Sequence, residues 1–478
     1  MKSTSAWKPI FNLNYCFFLL FFFPSTLSSE IVIDGELSEE EWKTAREINK
    51  FYEVFPFSLN DASGDTRILI QEDGKGIYIG FINIQAKETI RANQHQRDQG
   101  ARPPVGDQVG ITIDFDNDGK TGYRFSVNAG GSINDGTVIN ENEQNMDWDG
   151  DWLSATSITD TGWVAEILIP WTITSMKTQK GEERTVGFCF YRMLLSEYKV
   201  SATCRGSPYV NKFLSVFDEM NFKQYEVSQL DFFPYVTFSD DAATKENDTK
   251  FGAEIFWKID SSKQLNATFN PDFGQVESDE LVVNFSATET YYSDKRPFFA
   301  ENQSMFEVQG YEMFYVINTR RIGAAPDYSC SKLSSNLVSL CNASQRGTSD
   351  IDIAVRYIQQ TENFDFGFLG ASEQDEDFSQ GRDFYATKLR KTSKDFSFGY
   401  LGTHVERPLL NREATVHTAD FEYWATEDLR VTGVMMNSKV NEEDGYGFRL
   451  GYGYTPSKTF SGGMGVWYFD EKIDLSDM

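Results

Sequence analysis

The sequence predicts an all-β protein in two parts: a β-sandwich over residues 30–230 and a barrel-like antiparallel region, incomplete as a barrel, over 231–478. Three observations predict it. Apolar and polar residues alternate with period two through most of the chain, the pattern of half-buried strands. Asp, Asn and Gly clusters punctuate the alternation as turns. The helical start that stands out is 38–42, where Ser38 can cap and Glu41 follows three residues later.

Residues 1–29 come first and read as an export signal. Lys2 and Lys8 supply a positive start, 16–23 a short apolar run and 24–29 small residues. With no Cys at the cleavage point, a lipid-anchored form is not expected. No later apolar run approaches the ~20 residues that a spanning helix requires. The chain of 478 residues carries 72 Asp+Glu against 44 Lys+Arg, a net charge of −28. Nucleic-acid binding depends on Lys and Arg neutralising phosphate, so no nucleic-acid partner is expected. With 40% hydrophobic and 15% aromatic residues, the composition also excludes a disordered chain.

Strands follow in the first part at 67–71, 76–82, 109–114, 123–128, 163–169 and 186–191, with the boundary near 230. Beyond it the texture changes. In 445–454, Tyr446, Phe448, Leu450, Tyr452 and Tyr454 share one face, and Gly445, Gly447, Arg449, Gly451 and Gly453 the other. Phe364, Phe366 and Phe368 oppose Asp365 and Gly367 by the same rule, and Phe396, Phe398 and Tyr400 oppose Ser397 and Gly399. Many of these strands are ~9–11 residues long, enough to cross a bilayer at a tilt. A soluble sandwich or propeller alternates too, but has no reason to repeat Gly on its inward face. Roughly eight strands are expected from 351 to 469 and about four between 232 and 285. The polar end at Met478 lacks an aromatic closing strand, so an open edge is expected.

Chemistry narrows next. His95, His404 and His417 are the chain's three histidines, and none sits in a nucleophile or H-E-x-x-H context, which excludes His-based triads and zinc hydrolases. A glycosidase working through paired carboxylates survives that test. After the signal, Cys189, Cys204, Cys330 and Cys341 remain. The local pairs 189–204 and 330–341 are the economical choice among three connectivities, with free thiols open for the first pair. Asp114-Phe-Asp-Asn-Asp-Gly119 matches the first half of a calcium loop through Asp114, Asp116 and Asp118. Position twelve is Phe125, so an EF-hand is excluded. A hairpin stabilised by Ca2+ and a plain Asx turn both remain open.

The motif Ile33-Asp-Gly-Glu-Leu-Ser-Glu-Glu-Glu-Trp42 belongs with Gly106-Asp-Gln-Val109, Thr112-Ile-Asp-Phe115, Tyr123-Arg-Phe-Ser-Val-Asn128, Trp148-x-x-x-Trp152 and Gly162-Trp-Val-Ala-Glu-Ile-Leu-Ile-Pro170. Together they resemble carbohydrate-binding module family 9. The resemblance implies a sandwich that grips sugar with aromatic side chains and often holds a structural calcium. Trp148 and Trp152, set among Asn145, Asp147 and Asp149, have the composition of a sugar platform, the alternative being rings turned into the core. A second block comprises Asn270-Pro-Asp-Phe-Gly-Gln-Val-Glu-Ser-Asp279, Lys295-Arg-Pro-Phe-Phe-Ala-Glu-Asn302 and Thr319-Arg-Arg-Ile-Gly323. It resembles the domain family of unknown function 5916, whose members follow a family 9-like module with a region that looks like an outer-membrane barrel. Its carriers here are Asn270, Pro271, Asp272, Phe273, Gln275, Glu277, Asp279, Arg296, Pro297, Phe298 and Phe299. Its charges are expected to form structural ion pairs rather than a catalytic site.

The expected function is binding of a polysaccharide or oligosaccharide by an exported protein of the bacterial outer membrane or cell surface. Outer-membrane lipid is its second partner, and glycan capture or polysaccharide catabolism its role. A glycoside hydrolase and a non-binding assembly protein of the outer membrane are the alternatives.

Overall fold

The computed structural model describes residues 31–62, 66–99, 104–139, 141–146, 148–207, 212–241, 246–271, 294, 296–301, 303–308, 315–345, 347–393, 395–426, 428–457 and 460–478. The export segment 1–29 lies outside them. Strands dominate, in antiparallel sheets of five, nine and eleven, none closed into a barrel among the described residues. No described helix is long and apolar enough to cross a membrane.

The first two sheets form the sandwich. One runs Arg46–Ile48, Thr66–Glu72, Gly76–Ile84, Gly162–Pro170, Leu153–Ile158. The other runs Phe57–Asp61, Tyr52–Phe55, Lys199–Ala202, Glu183–Leu194, Gln108–Asp114, Thr121–Asn128, Ile133–Ile139, Glu143–Asn145, with Asp218–Lys223 also paired to Glu183–Leu194. Alternation decides which side chains meet between them. Ile68, Ile70, Ile79, Phe81, Ile167 and Ile169 from the first sheet close on Val109, Ile111, Ile113, Phe125, Val127 and Phe190 from the second. Each such burial contributes roughly 1.5–3 kcal/mol. Cys189–Cys204 and Cys330–Cys341 are both disulfides, as the local pairing anticipates.

The N-terminal motif packs on the outer face of the five-stranded sheet, where Trp42 and Ile31 meet Tyr78. Here the expected cap differs. A single 3-10 turn, Glu40–Thr44, begins after Glu39, not Ser38, and the Glu39 carboxylate instead accepts the Val32 N–H at 3.0 Å. The Ile-Asp-Gly turn is held from a distant strand, where Glu166 accepts the N–H groups of Asp34 and Gly35. Gly35 has φ +90, and a Cβ there would press on the Thr156 backbone at 3.0 Å, so the turn requires glycine.

In the eleven-stranded sheet every strand pairs with its sequence neighbour, from Gln229–Asp241, Glu246–Asp260 and Lys263–Phe269 through Ile351–Gln360, Phe364–Glu373, Asp383–Thr392, Phe396–Arg407, Arg412–Thr426, Leu429–Val440, Glu443–Ser457 and Phe460–Phe469. The eight strands after 350 match the expected number. Three are described before residue 272, and the remainder of the first group falls outside the described residues.

The inward face of this sheet buries polar beside apolar residues, and its other face exposes aromatics. Asp365, Leu369, Ala371 and Glu373 are buried on the inward face, while Phe364 on the other face is 45% exposed. The exposed aromatic row continues across the sheet in Phe398, Tyr423, Tyr446 and Phe460. Against the inward face lies the segment after residue 293, where Phe298, Phe299, Phe306 and Ile322 pack on Ile351, Leu369, Phe384 and Leu401. The sandwich joins the sheet through Met176 N–H to Ser261 O at 2.7 Å and the Lys212–Asp428 ion pair at 2.8 Å.

Candidate functional site

The tryptophans expected to form a sugar platform belong to the sandwich core. Trp152 is buried, sits edge-on to Phe125 with centroids 5.5 Å apart, and donates Nε1–H to Asp135 at 3.1 Å. Trp148 is half-buried and meets Tyr123 and Phe125 edge-on at 5.0 and 5.8 Å. The platform reading is corrected by the turn between them. Buried Gly150, whose N–H reaches Asp135 at 2.7 Å, brings the chain so close that a Cβ would lie 2.6 Å from the Trp148 ring. Both rings therefore pack inward. Asp149 is exposed and pairs with Arg97 at 2.8 Å, and Asp147 lies outside the described residues. Asn145 ends an edge strand and faces a cavity described below.

Asp98, Asp135 and Asp149 bring carboxylate oxygens within 4.8 Å of one another. Arg97 already lies across this group, donating to both oxygens of Asp135 at 2.9 and 2.6 Å. Burial pushes the Asp98 carboxyl up to about 7, the neighbouring carboxylates adding to the shift.

The Asp114–Gly119 loop is neutralised by the protein's own cations. Asp114 is buried and accepts the N–H of Gly119 at 2.7 Å and of Asp116 at 3.1 Å. Lys177 gives its N–H to Asp116 at 2.8 Å and its ammonium to Asp118 at 2.6 Å, while Arg184 reaches Asp116 at 3.4 Å. Burial, with Asp118 and Asp116 close by, raises the Asp114 carboxyl well above the usual carboxylate range. Asp118 is held below that range by Lys177 despite its burial. Calcium needs several oxygens free to converge on one ion. Here the donor set answers to an ammonium and a guanidinium, and does not fit calcium as arranged.

The second motif block builds a network of caps and ion pairs. Asn270, at φ +45, donates Nδ2–H to Phe251 O at 2.8 Å and accepts from the Tyr235 hydroxyl at 3.0 Å; Pro271 is buried beside it. Arg296 forks onto Asp294 at 2.9 and 2.6 Å, donates to the carbonyls of Thr319 and Ile322 at 2.7 Å, and lies 4.2 Å over the Phe299 ring. Pro297 opens the helical turn Pro297–Ala300 that buries Phe298 and Phe299. Glu301 accepts from Gln264, Asn266 and Arg356, and Arg356 and Lys258 keep its carboxyl low against the effect of burial. Asp272, Phe273, Gln275, Glu277 and Asp279 lie outside the described residues.

Between the sandwich and the inward face of the large sheet is a cavity of about 2050 Å³. The Asp114–Gly119 loop, Asn145 and Lys177 line it from one side, and Glu422, Trp424, Arg430 and Arg449 from the other. Sequence reasoning missed this second wall. A signal existed, because Trp424 falls on the inward phase of its strand with Asp420 and Glu422, opposite the exposed Tyr423.

Among curated proteins none matches the chain. Among solved structures, a loop L8 deletion mutant of OmpT, an outer membrane protein of Vibrio cholerae, is similar at 7% identity over 76% of this chain and 92% of that one, with a TM-score of 0.24, too slight a likeness to speak for fold or function. Residues 33–193 match the carbohydrate family 9 binding domain-like family and residues 227–347 match the domain of unknown function DUF5916, so the chain carries the two matches in that order.

Proposed function

We propose that the chain is an exported, outer-membrane-associated protein that binds polysaccharide or oligosaccharide for glycan capture in polysaccharide catabolism. The family 9 match supports the carbohydrate partner. The observation that carries the membrane reading is the exposed aromatic face of the large sheet, set over an inward face that buries charged residues. Its outward aromatic row spans adjacent strands, with Phe398 47%, Tyr446 57% and Phe460 59% exposed, while Arg382, Lys388 and Asp420 are buried on the inward side. Soluble monomers rarely expose contiguous apolar patches larger than a few hundred Å2, whereas lipid-facing strands do so alternately with polar, lumen-facing residues. The inward ion pairs Arg382–Glu373 and Lys388–Asp420 are the partners such an interior demands.

The test is to express the full chain in a Gram-negative host, fractionate the membranes, and measure retention of the detergent-purified chain on a panel of plant and algal polysaccharides. Recovery in the outer-membrane fraction with retention on a glycan is the expected result. A chain that stays soluble without detergent refutes the membrane reading, and absence of retention on every polysaccharide refutes the carbohydrate reading.

A further inference from the structure

The cavity wall contributed by the DUF5916-containing half carries a constellation that the family 9-like module does not account for. Trp424 and Arg430 stand opposite each other in register on adjacent strands, both lining the cavity. The indole is fixed in place because its Nε1–H donates to Glu422 at 2.7 Å. The guanidinium of Arg430 lies 6.0 Å from the indole centroid and has no ion-pair partner among the described residues. On the next strand its register partner is Gly453, where a Cβ would meet nothing within 4 Å, so the space beside Arg430 is open. A flat aromatic face, a carboxylate and a guanidinium with no acid partner among the described residues thus border one open floor.

Each group has a use with a sugar. An indole face attracts the weakly positive C–H edge of a pyranose, and a carboxylate accepts hydrogen bonds from hydroxyls. A guanidinium is a planar fork for carboxylate or sulfate oxygens. In a chain with 72 acids to 44 bases, a cation on a cavity wall with no acid paired to it among the described residues is available for an anion from outside. The volume exceeds that of ordinary small-molecule pockets and has room for several sugar units.

We infer that Trp424, Glu422 and Arg430 form a subsite for an acidic sugar, its ring on Trp424, its hydroxyls on Glu422 and its carboxylate or sulfate on Arg430. The inference rests on the carbohydrate-binding reading above and places a second sugar contact outside the family 9-like module.

The experiment compares the full chain in detergent with Arg430→Gln, Trp424→Ala and Trp424→Phe, titrated with sodium polygalacturonate, a sulfated carrageenan and neutral galactan. Arg430→Gln is expected to weaken binding of an acidic polymer by about tenfold and to leave galactan within about twofold. Trp424→Ala weakens every polymer bound, and Trp424→Phe, which keeps a ring, restores most of the loss. The carboxylated and sulfated arms distinguish the two sources of negative charge. If Arg430→Gln and Trp424→Ala both bind every polymer as the unmodified chain does, the subsite is overturned while carbohydrate binding stands. If the unmodified chain binds none of the three, the inference falls, and the wider polysaccharide panel then decides the carbohydrate reading separately.

Discussion

Replacing Glu166 by Ala and by Gln separates the two effects of one buried carboxylate. Glu166 is fully buried; its Oε2 accepts the N–H of Gly35 at 2.7 Å and of Asp34 at 3.0 Å, while Oε1 has no hydrogen-bond partner among the described residues. Burial pushes its pKa up to about 7 from a usual value of 4.5, although the two N–H bonds pull the other way. Ala strands two N–H groups at ~1–3 kcal/mol each, so a loss of about 2–6 kcal/mol is expected. At roughly 2–4 °C per kcal/mol for a domain of this size, the sandwich should melt about 4–24 °C lower. Gln keeps an oxygen for both N–H groups and cannot ionise, so near pH 4.5, where the folded Glu166 carboxyl is protonated, it should stay within about 1 kcal/mol of the unmodified chain.

The pH profile separates the two effects further. Because the folded state holds this proton more tightly than the unfolded state, the contribution is fully present below the unfolded pKa near 4.5 and is lost as pH rises through about 7. The change across that window is about 3 kcal/mol, and Gln should abolish it. Thermal melts followed by tryptophan fluorescence in detergent between pH 4.5 and 8 measure both quantities. The reasoning is refuted if the Ala variant melts with the unmodified chain near pH 4.5, if Gln costs as much as Ala there, or if the Gln variant keeps the pH slope undiminished, Asp98 supplying only part of it.

Other outcomes follow from particular contacts. Lys177→Gln removes the ammonium that balances the Asp114–Gly119 loop, at an expected ~3–5 kcal/mol with partial recovery in millimolar calcium. A calcium-dependent melting shift in the unmodified chain would return the loop to the calcium reading. Gly162→Ala places a Cβ 1.8 Å from the Asn83 carbonyl and should cost more than about 3 kcal/mol by thermal melting, whereas Gly347→Ala, in open space, should be silent. Arg296→Lys loses the fork onto Asp294 and a carbonyl contact, so it should cost ~2–4 kcal/mol and speed proteolysis around residues 294–323; an unchanged digest would contradict the network. Non-reducing peptide mapping should recover Cys189 linked to Cys204 and Cys330 linked to Cys341, and a free thiol at any of the four contradicts the pairing.

Period-two alternation is a property of the extended backbone itself, so the sequence alone determined that the chain is all-β, that eight strands follow residue 350, and that aromatic and small residues part to opposite faces there. The motifs were legible as motifs, but their partners were not. Ile-Asp-Gly and Gly-Trp-Val-Ala-Glu stand far apart in sequence, and only the packed sandwich joins Gly35 to Glu166. The Asp114 loop reads locally as a cation site, and its cation turns out to be Lys177, delivered by a loop some sixty residues away. Trp148 and Trp152 look like a platform by composition, yet whether a ring faces water or core depends on Gly150 and on the opposing Phe125. Trp424 carried its inward phase in the strand pattern, but the cavity it lines exists only because the sandwich docks across that face. Local sequence sets backbone periodicity and the side on which each residue falls, whereas the partner of a buried charge or ring comes from a distant segment and is decided by packing.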